Sequence, residues 1–273
     1  MWQILKAAGI DPAPTLSRLG KNNPGLRRTV IELICAYLRM PYIGLDDPPA
    51  SSHGDQSSRQ GELQVRLTAQ RILAGHLRDP AYGGQRHGTL DPAAYWPEID
   101  IIDLTGAYLM DFNLSGCHIR TLECNRTIFI DESLFRHLRC DLAFLQSAIF
   151  KGHTDFRGAT FIHDAWFAYT TFDSDVWFRS DEFFPAARFG GHASFMNVTF
   201  TRKARFEKAV FERSADFRDI TCTEGARAIN LQGCQVHRPD PVNPDVTAAP
   251  SSWPPGWKIE PGMSGIPTLA WRD

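Results

Sequence analysis

Residues 154–172 read TDFRGATFIHDAWFAYTTF. Phe stands at 156, 161, 167 and 172, and the residue two places before each is Thr154, Ala159, Ala165 and Thr170. An apolar period of five or six fits neither a helix, whose period is about 3.6, nor a flat strand, whose period is about 2. It fits a chain that turns a corner after each short side. On every side the small residue and the large one two positions later share a face, because strand side chains alternate. Both point inward, and the residue between them points out.

The pattern extends in both directions. Downstream come Val176-Trp-Phe178, Ala187-Arg-Phe189, Ala193-Ser-Phe195, Val198-Thr-Phe200, Ala204-Arg-Phe206, Ala209-Val-Phe211, Ala215-Asp-Phe217 and Ile220-Thr-Cys222. Asp181-Glu-Phe183 fills the gap after Phe178 without a small residue, and Phe184 is an alternative to Phe183. The two six-residue steps 183 to 189 to 195 mark a one-residue insertion, which Gly190-Gly191 is placed to absorb. Upstream the step is a strict five, through Leu104, Leu109, Leu114, Ile119, Cys124, Phe129 and Leu134. It stumbles at Arg139 and resumes near Phe144 and Ile149.

Four such sides make a square coil, and coils stack by backbone hydrogen bonds about 4.8 Å apart. The span from Leu104 to Cys222 predicts about six coils and an axis of about 28 Å. Leu104, Leu109, Leu114, Phe156, Phe161, Phe167, Phe172, Phe178, Phe189, Phe195, Phe200, Phe206, Phe211 and Phe217 are its predicted inward core. All 18 Phe lie between 112 and 217, a step in composition that marks a domain boundary.

These triplets resemble the pentapeptide-repeat family, whose consensus is a small residue, a polar one, Leu or Phe, and two variable polar residues. Ala107-Tyr-Leu109-Met-Asp matches it, and the Ala-x-Phe triplets look like its Phe-rich bacterial branch. The resemblance covers roughly residues 100 to 236. It implies a mainly β fold, a right-handed quadrilateral β-helix. A fold carries many functions. Some members of the family mimic duplex DNA and modulate type II topoisomerases such as gyrase.

Outside the repeat, residues 24–40 predict an amphipathic helix started by Asn23-Pro24 and ended by Pro41. Residues 46–61 are Ser, Pro, Asp and Gly-rich and predict a disordered loop; a second helix follows over 62–77. The organisation expected is a helical region over 1–94, the β-helix over 95–236 and a Pro/Trp-rich tail over 237–273. An open coil end must be capped, and the helices with Trp96 are expected to be the N-terminal cap or a small helical module beside it. The stretch Leu26 to Leu77 also looks like the helical segment that precedes the repeats in some bacterial proteins, where a membrane helix often comes first. The tail reads either as an extended segment laying its Trp rings on the solenoid or as a Pro-rich ligand for an aromatic groove.

With 29 Lys+Arg against 31 Asp+Glu, net charge argues against direct nucleic-acid binding. No apolar run is long enough to span a bilayer. No signal pattern opens the chain, and six Cys without a C-x-x-C pair read as reduced thiols in the cytoplasm. Nucleotide loops, a nucleophile elbow and zinc spacings are absent from the sequence, so no catalytic, cofactor or metal residues are assigned.

His118, His153 and His192 read as surface residues, and the pairs Asp173/Asp175 and Asp181/Glu182 as solvated acids. Charge does vary along the chain: residues 141–182 carry seven acids and three bases, residues 188–218 the reverse. That polarity makes Asp173, Asp175, Asp181, Glu182, Arg202, Lys203, Arg205 and Lys208 the candidate partner surface. The reading that results is a non-enzymatic scaffold or interaction protein with a protein partner. The topoisomerase modulator is the alternative.

Overall fold

The computed structural model describes residues 12–42, 53–80, 94–236, 251–262 and 266–272. From Ile101 onward the chain winds as a parallel β-solenoid of about six coils. Register assigns each side to one of four walls. The first wall is led by Leu104, Cys124, Leu145, Phe167, Phe195 and Phe217; the second by Leu109, Phe129, Phe150, Phe172, Phe200 and Cys222. The third carries Leu114, Phe135, Phe156, Phe178, Phe206 and Leu231, and the fourth Ile119, Cys140, Phe161, Phe189, Phe211 and Val236. All of these except Cys222 are buried.

The columns are held by ring stacking along the axis. On the third wall Phe135, Phe156, Phe178 and Phe206 stack at 4.6, 4.8 and 4.5 Å. Rings of neighbouring walls meet edge-on, as Phe167 and Phe178 do at 90°. Offset stacks and edge contacts are the two favoured arrangements for aromatic quadrupoles. A coil wide enough for four Phe therefore satisfies both at once.

Three details differ from the sequence expectation. The upstream frame slips earlier than Arg139. Phe112 pairs with Ser133, whereas Met110 pairs with Ile130, so the extra residue lies at Asp131-Glu132. From there Phe135, Cys140, Leu145 and Phe150 face inward, and Leu134, Phe144 and Ile149 do not. Secondly, Phe183 is not a core residue: it is 59% exposed. The Ala187 N–H donates to the Phe178 carbonyl at 2.7 Å, so the third wall passes almost directly to the fourth and residues 179–186 form a loop thrown out of the coil. Thirdly, Gly190-Gly191 absorb no insertion. A Cβ on Gly190 would stand 2.4 Å from the Ile162 carbonyl oxygen, and one on Gly191 2.4 Å from the His163 carbonyl carbon; glycine is there because the coil below approaches so closely.

The N-terminal end is closed by helices α1 (Pro12–Asn22), α2 (Arg27–Leu38) and α3 (His53–Leu77), with a 3₁₀ turn at Pro24–Leu26. The loop expected over 46–61 is helical from His53 onward; residues 46–52 lie outside the described residues. Gln70 of α3 acts as a missing strand residue: its amide donates to the Met110 carbonyl at 2.7 Å and accepts the Met110 N–H at 3.2 Å. Arg78 donates to the Ser115 carbonyl at 3.0 Å. Trp96 is buried between the His76 ring, stacked at 3.5 Å, and the backbone of Gly20. Together these supply the first coil with the partners an open end lacks.

At the other end the sixth coil is completed after a 3₁₀ turn at Ala226–Ala228 by Leu231 and Val236. Residues 237–250 lie outside the described residues. Ser252 then bridges in parallel to Asp216 and sets Trp253 against Phe211 and Phe217 at 5.5 and 5.6 Å. The strands Trp257–Pro261 and Pro267–Trp271 pair as an antiparallel hairpin that joins the fourth wall at Gln235. The tail thus lays a Trp ring on the solenoid, and beyond Trp253 it is a folded hairpin cap rather than an extended segment.

Candidate interaction surface

The outward positions of the third wall run Leu134, Asp155, Trp177, Arg205 and Asn230, one per coil. An outward acid should be wet, yet Asp155 is 0% exposed. Arg157 covers it with a fork, Nε to Oδ1 at 3.0 Å and Nη2 to Oδ2 at 2.6 Å, and Arg136 pairs with the same carboxylate. Burial alone would raise the Asp155 carboxyl; the hydrogen bonds from Arg157 and Arg136 outweigh it and hold the group below the usual aspartate value. Such a saturated buried acid is an anchor, with no lone pair left for proton transfer.

That anchor holds the loop 179–186. Asp181 pairs with Arg157, and its Oδ1 accepts the N–H groups of Phe183 at 2.9 Å and Phe184 at 2.8 Å. The Arg157 guanidinium lies 4.6 Å from the ring centres of both Phe184 and Trp177, and that of Arg179 lies 4.9 Å from Trp177. Arginine and aromatic planes alternate, each contact adding of order 0.5–2 kcal/mol. The loop is therefore pinned through Asp181 and Phe184, while Glu182 and Phe183 face solvent.

The eight candidate residues all gather around this wall. Asp173 and Asp175 occupy the corner between the second and third walls of coil four. Arg202 and Lys203 occupy the same corner of coil five, since Thr171 pairs with Thr199 and Val176 with Ala204. Arg205 is outward on the wall and pairs with Glu207 at 3.2 Å; Lys208 is exposed at the far corner. Asp181 and Glu182 are in the loop. The two charge blocks of the sequence are thus one rung apart in space, about 4.8 Å, not two separate ends. Asp173 accepts from Thr201 Oγ1 at 3.3 Å and Asp175 from the Lys203 N–H at 3.2 Å.

Sequence reasoning missed one chemically suggestive pair. Ser17 Oγ lies 2.8 Å from His76 Nε2, and His76 Nδ1 lies 2.7 Å from the Ala94 carbonyl oxygen. The spacing from Ser17 to His76 is too long to form a motif. Ser17 sits inside α1, where its own N–H belongs to the helix ladder. Desolvation, against the hydrogen bond to Ala94, keeps His76 below the ordinary imidazole value.

Two further histidines tie corners together: His153 Nδ1 lies 2.9 Å from the Asp175 carbonyl and His192 Nδ1 2.7 Å from Ser214 Oγ. Buried Cys117 and Cys140 are pushed up to about 12 by desolvation, which makes them poor nucleophiles. Among the described residues, no three His, Cys, Asp or Glu side chains gather as a metal site, and no helix is long and apolar enough to cross a membrane. A groove of about 320 Å³ beside α3 is lined by Gln64, Leu67, Gln70, Arg71, Asp111 and Asn113. No family model, no curated protein and no solved structure matches this chain.

Proposed function

We propose that this chain is a non-enzymatic interaction protein whose third wall and protruding loop are offered to a protein partner. The observation that carries this reading is the loop 179–186. A solenoid of this regularity gains nothing in core packing from a longer coil, yet this one is anchored by Asp181 and Phe184 and leaves Phe183 59% exposed. Pre-ordering an exposed aromatic removes part of the entropy cost of binding, and aromatic side chains dominate protein interfaces. Membership of the pentapeptide-repeat family belongs to the same proposal, supported by the four walls and the small-x-large triplets. Free buried thiols support a cytoplasmic setting.

The topoisomerase reading has less support. A duplex mimic needs an unbroken acidic face, about one charge per 1.7 Å. Here the acids are spread over several corners, such as Asp141, Asp164 and Asp219, and Lys151, Arg202 and Lys203 interrupt the most acidic one, which carries Asp111, Asp131, Glu132, Asp173, Asp175 and Glu224. The test is affinity capture with wild type, a Glu182→Lys/Phe183→Ala variant and a Thr160→Ala control. Proteins retained by wild type and control but lost with the loop variant support the proposal; identical captured sets from all three overturn it.

A further inference from the structure

The corner between the second and third walls is acidic on coils one and two, with Asp111, Asp131 and Glu132, and from coil three onward carries charge that alternates rung by rung. Coil three presents Lys151, coil four Asp173 and Asp175, coil five Arg202 and Lys203, and coil six Glu224. Lys151, Asp173, Arg202, Lys203 and Glu224 are exposed and Asp175 is half-buried. Among the described residues none of the six forms an ion pair, although opposite signs are only a rung apart. Arg227, also at this corner of coil six, is turned onto the Trp271 ring at 5.8 Å.

The order plus, minus, plus, minus is its own complement when reversed. We infer that the third wall, with this corner, binds a second copy of the chain, antiparallel and face to face, about a two-fold axis that runs along the strands between coils four and five. The inference rests on the third wall being an interaction surface. Under that axis coil four lies opposite coil five of the other copy, and coil three opposite coil six. Asp173 and Asp175 then meet Arg202 and Lys203, and Lys151 meets Glu224, each contact occurring twice because the interface is isologous. The far corner repeats the rule, with Glu182 on the loop of coil four and Lys208 on coil five.

The other face-to-face arrangement, with the two-fold along the solenoid axis, keeps each coil opposite itself and carries this corner onto the far one; it sets Asp173 and Asp175 against Glu182, and Arg202 and Lys203 against Lys208, and is repelled. A wall about 28 Å long is at the small end of specific interfaces. The dimer is accordingly weak and salt-sensitive.

Sedimentation velocity of the full chain tests this. Wild type at low salt and high protein concentration should show a dimer that dissociates as salt approaches about 1 M, where the screening length is about 3 Å. Asp173→Lys/Asp175→Lys and Arg202→Asp/Lys203→Asp should each weaken association roughly 100-fold or more, because like charges then face each other. Mixing the two variants in equal amounts should restore the dimer, since every contact in the mixed pair is again opposite in sign. If reversal disturbs the fold, as circular dichroism would reveal, Asp173→Asn/Asp175→Asn carries the test: association weakened about tenfold supports the dimer, unchanged association overturns it. A wild type that stays monomeric at low salt, a dimer indifferent to charge reversal, or a mixture that stays monomeric overturns the inference. In the first case the loop-dependent capture of other proteins is unaffected, so the wall's wider role is judged separately.

Discussion

Phe156 and Phe178 lie with ring centres 4.8 Å apart and planes within 1° of parallel, although 22 positions of sequence separate them. The rings are spaced by the backbone ladder, so the hydrogen-bonded rung and the stacked ring report the same repeat.

Truncating Phe156 or Phe178 to Ala removes a ring that has stacked neighbours above and below. We expect a loss of about 3–5 kcal/mol in denaturant melts. Thr160→Ala, on the outward position of the fourth wall, should cost under about 0.5 kcal/mol. Comparable losses at both positions would refute the assignment of inward and outward faces.

Asp155→Asn leaves Arg136 and Arg157 without their shared carboxylate in a site that excludes water. The expected cost is about 3–5 kcal/mol. The wild-type carboxyl holds its proton less tightly folded than unfolded. Its contribution is therefore complete above about pH 4 and drains away as pH falls through the depressed native value. Chemical melts between neutral pH and pH 3 should show this acid limb in wild type and a shallower one in the variant.

His76 has the opposite dependence on its charged form. Its native value lies below the unfolded one of about 6.5, so the unfolded chain takes up the proton first. Cap stability is complete above about pH 6.5 and declines as pH drops towards the lowered native value. An NMR titration of the His76 ring should give a midpoint under the ordinary imidazole value; a midpoint at or above it would contradict the packing against Trp96.

Gln70→Leu removes both bonds to Met110 while keeping the side chain's bulk. The first coil should lose about 1–3 kcal/mol of local protection. Hydrogen exchange should quicken at Met110 and its neighbours, with the Phe columns of coils three to five unchanged.

Much of the fold was legible because small-x-large triplets mark each side wherever only one residue of the triplet is large. Legibility failed where two neighbours are both large. Leu134-Phe135, Phe144-Leu145 and Ile149-Phe150 fit either frame, and only the bulge opposite Asp111 shows which member faces in. Phe183 misled for a related reason, lying five residues after Phe178 as a core residue would. The first turns of α3 carry no apolar stripe, so periodicity could not reveal them. The eight charged residues were visible as two blocks. Their meeting around one wall depends on register, and so does the pairing of single charges such as Lys151 and Glu224, which no local pattern distinguishes.

The fourth coil takes on residues 179–186 while Phe161, Phe189 and Phe211 stay stacked at 5.1 and 4.9 Å. The exit and return of that excursion are joined by one hydrogen bond, Ala187 to Phe178. The corner is thus a splice site: a foreign peptide whose ends meet at a similar distance can be grafted between Phe178 and Ala187 and displayed on a stiff rod, with the rungs on either side serving as its clamp.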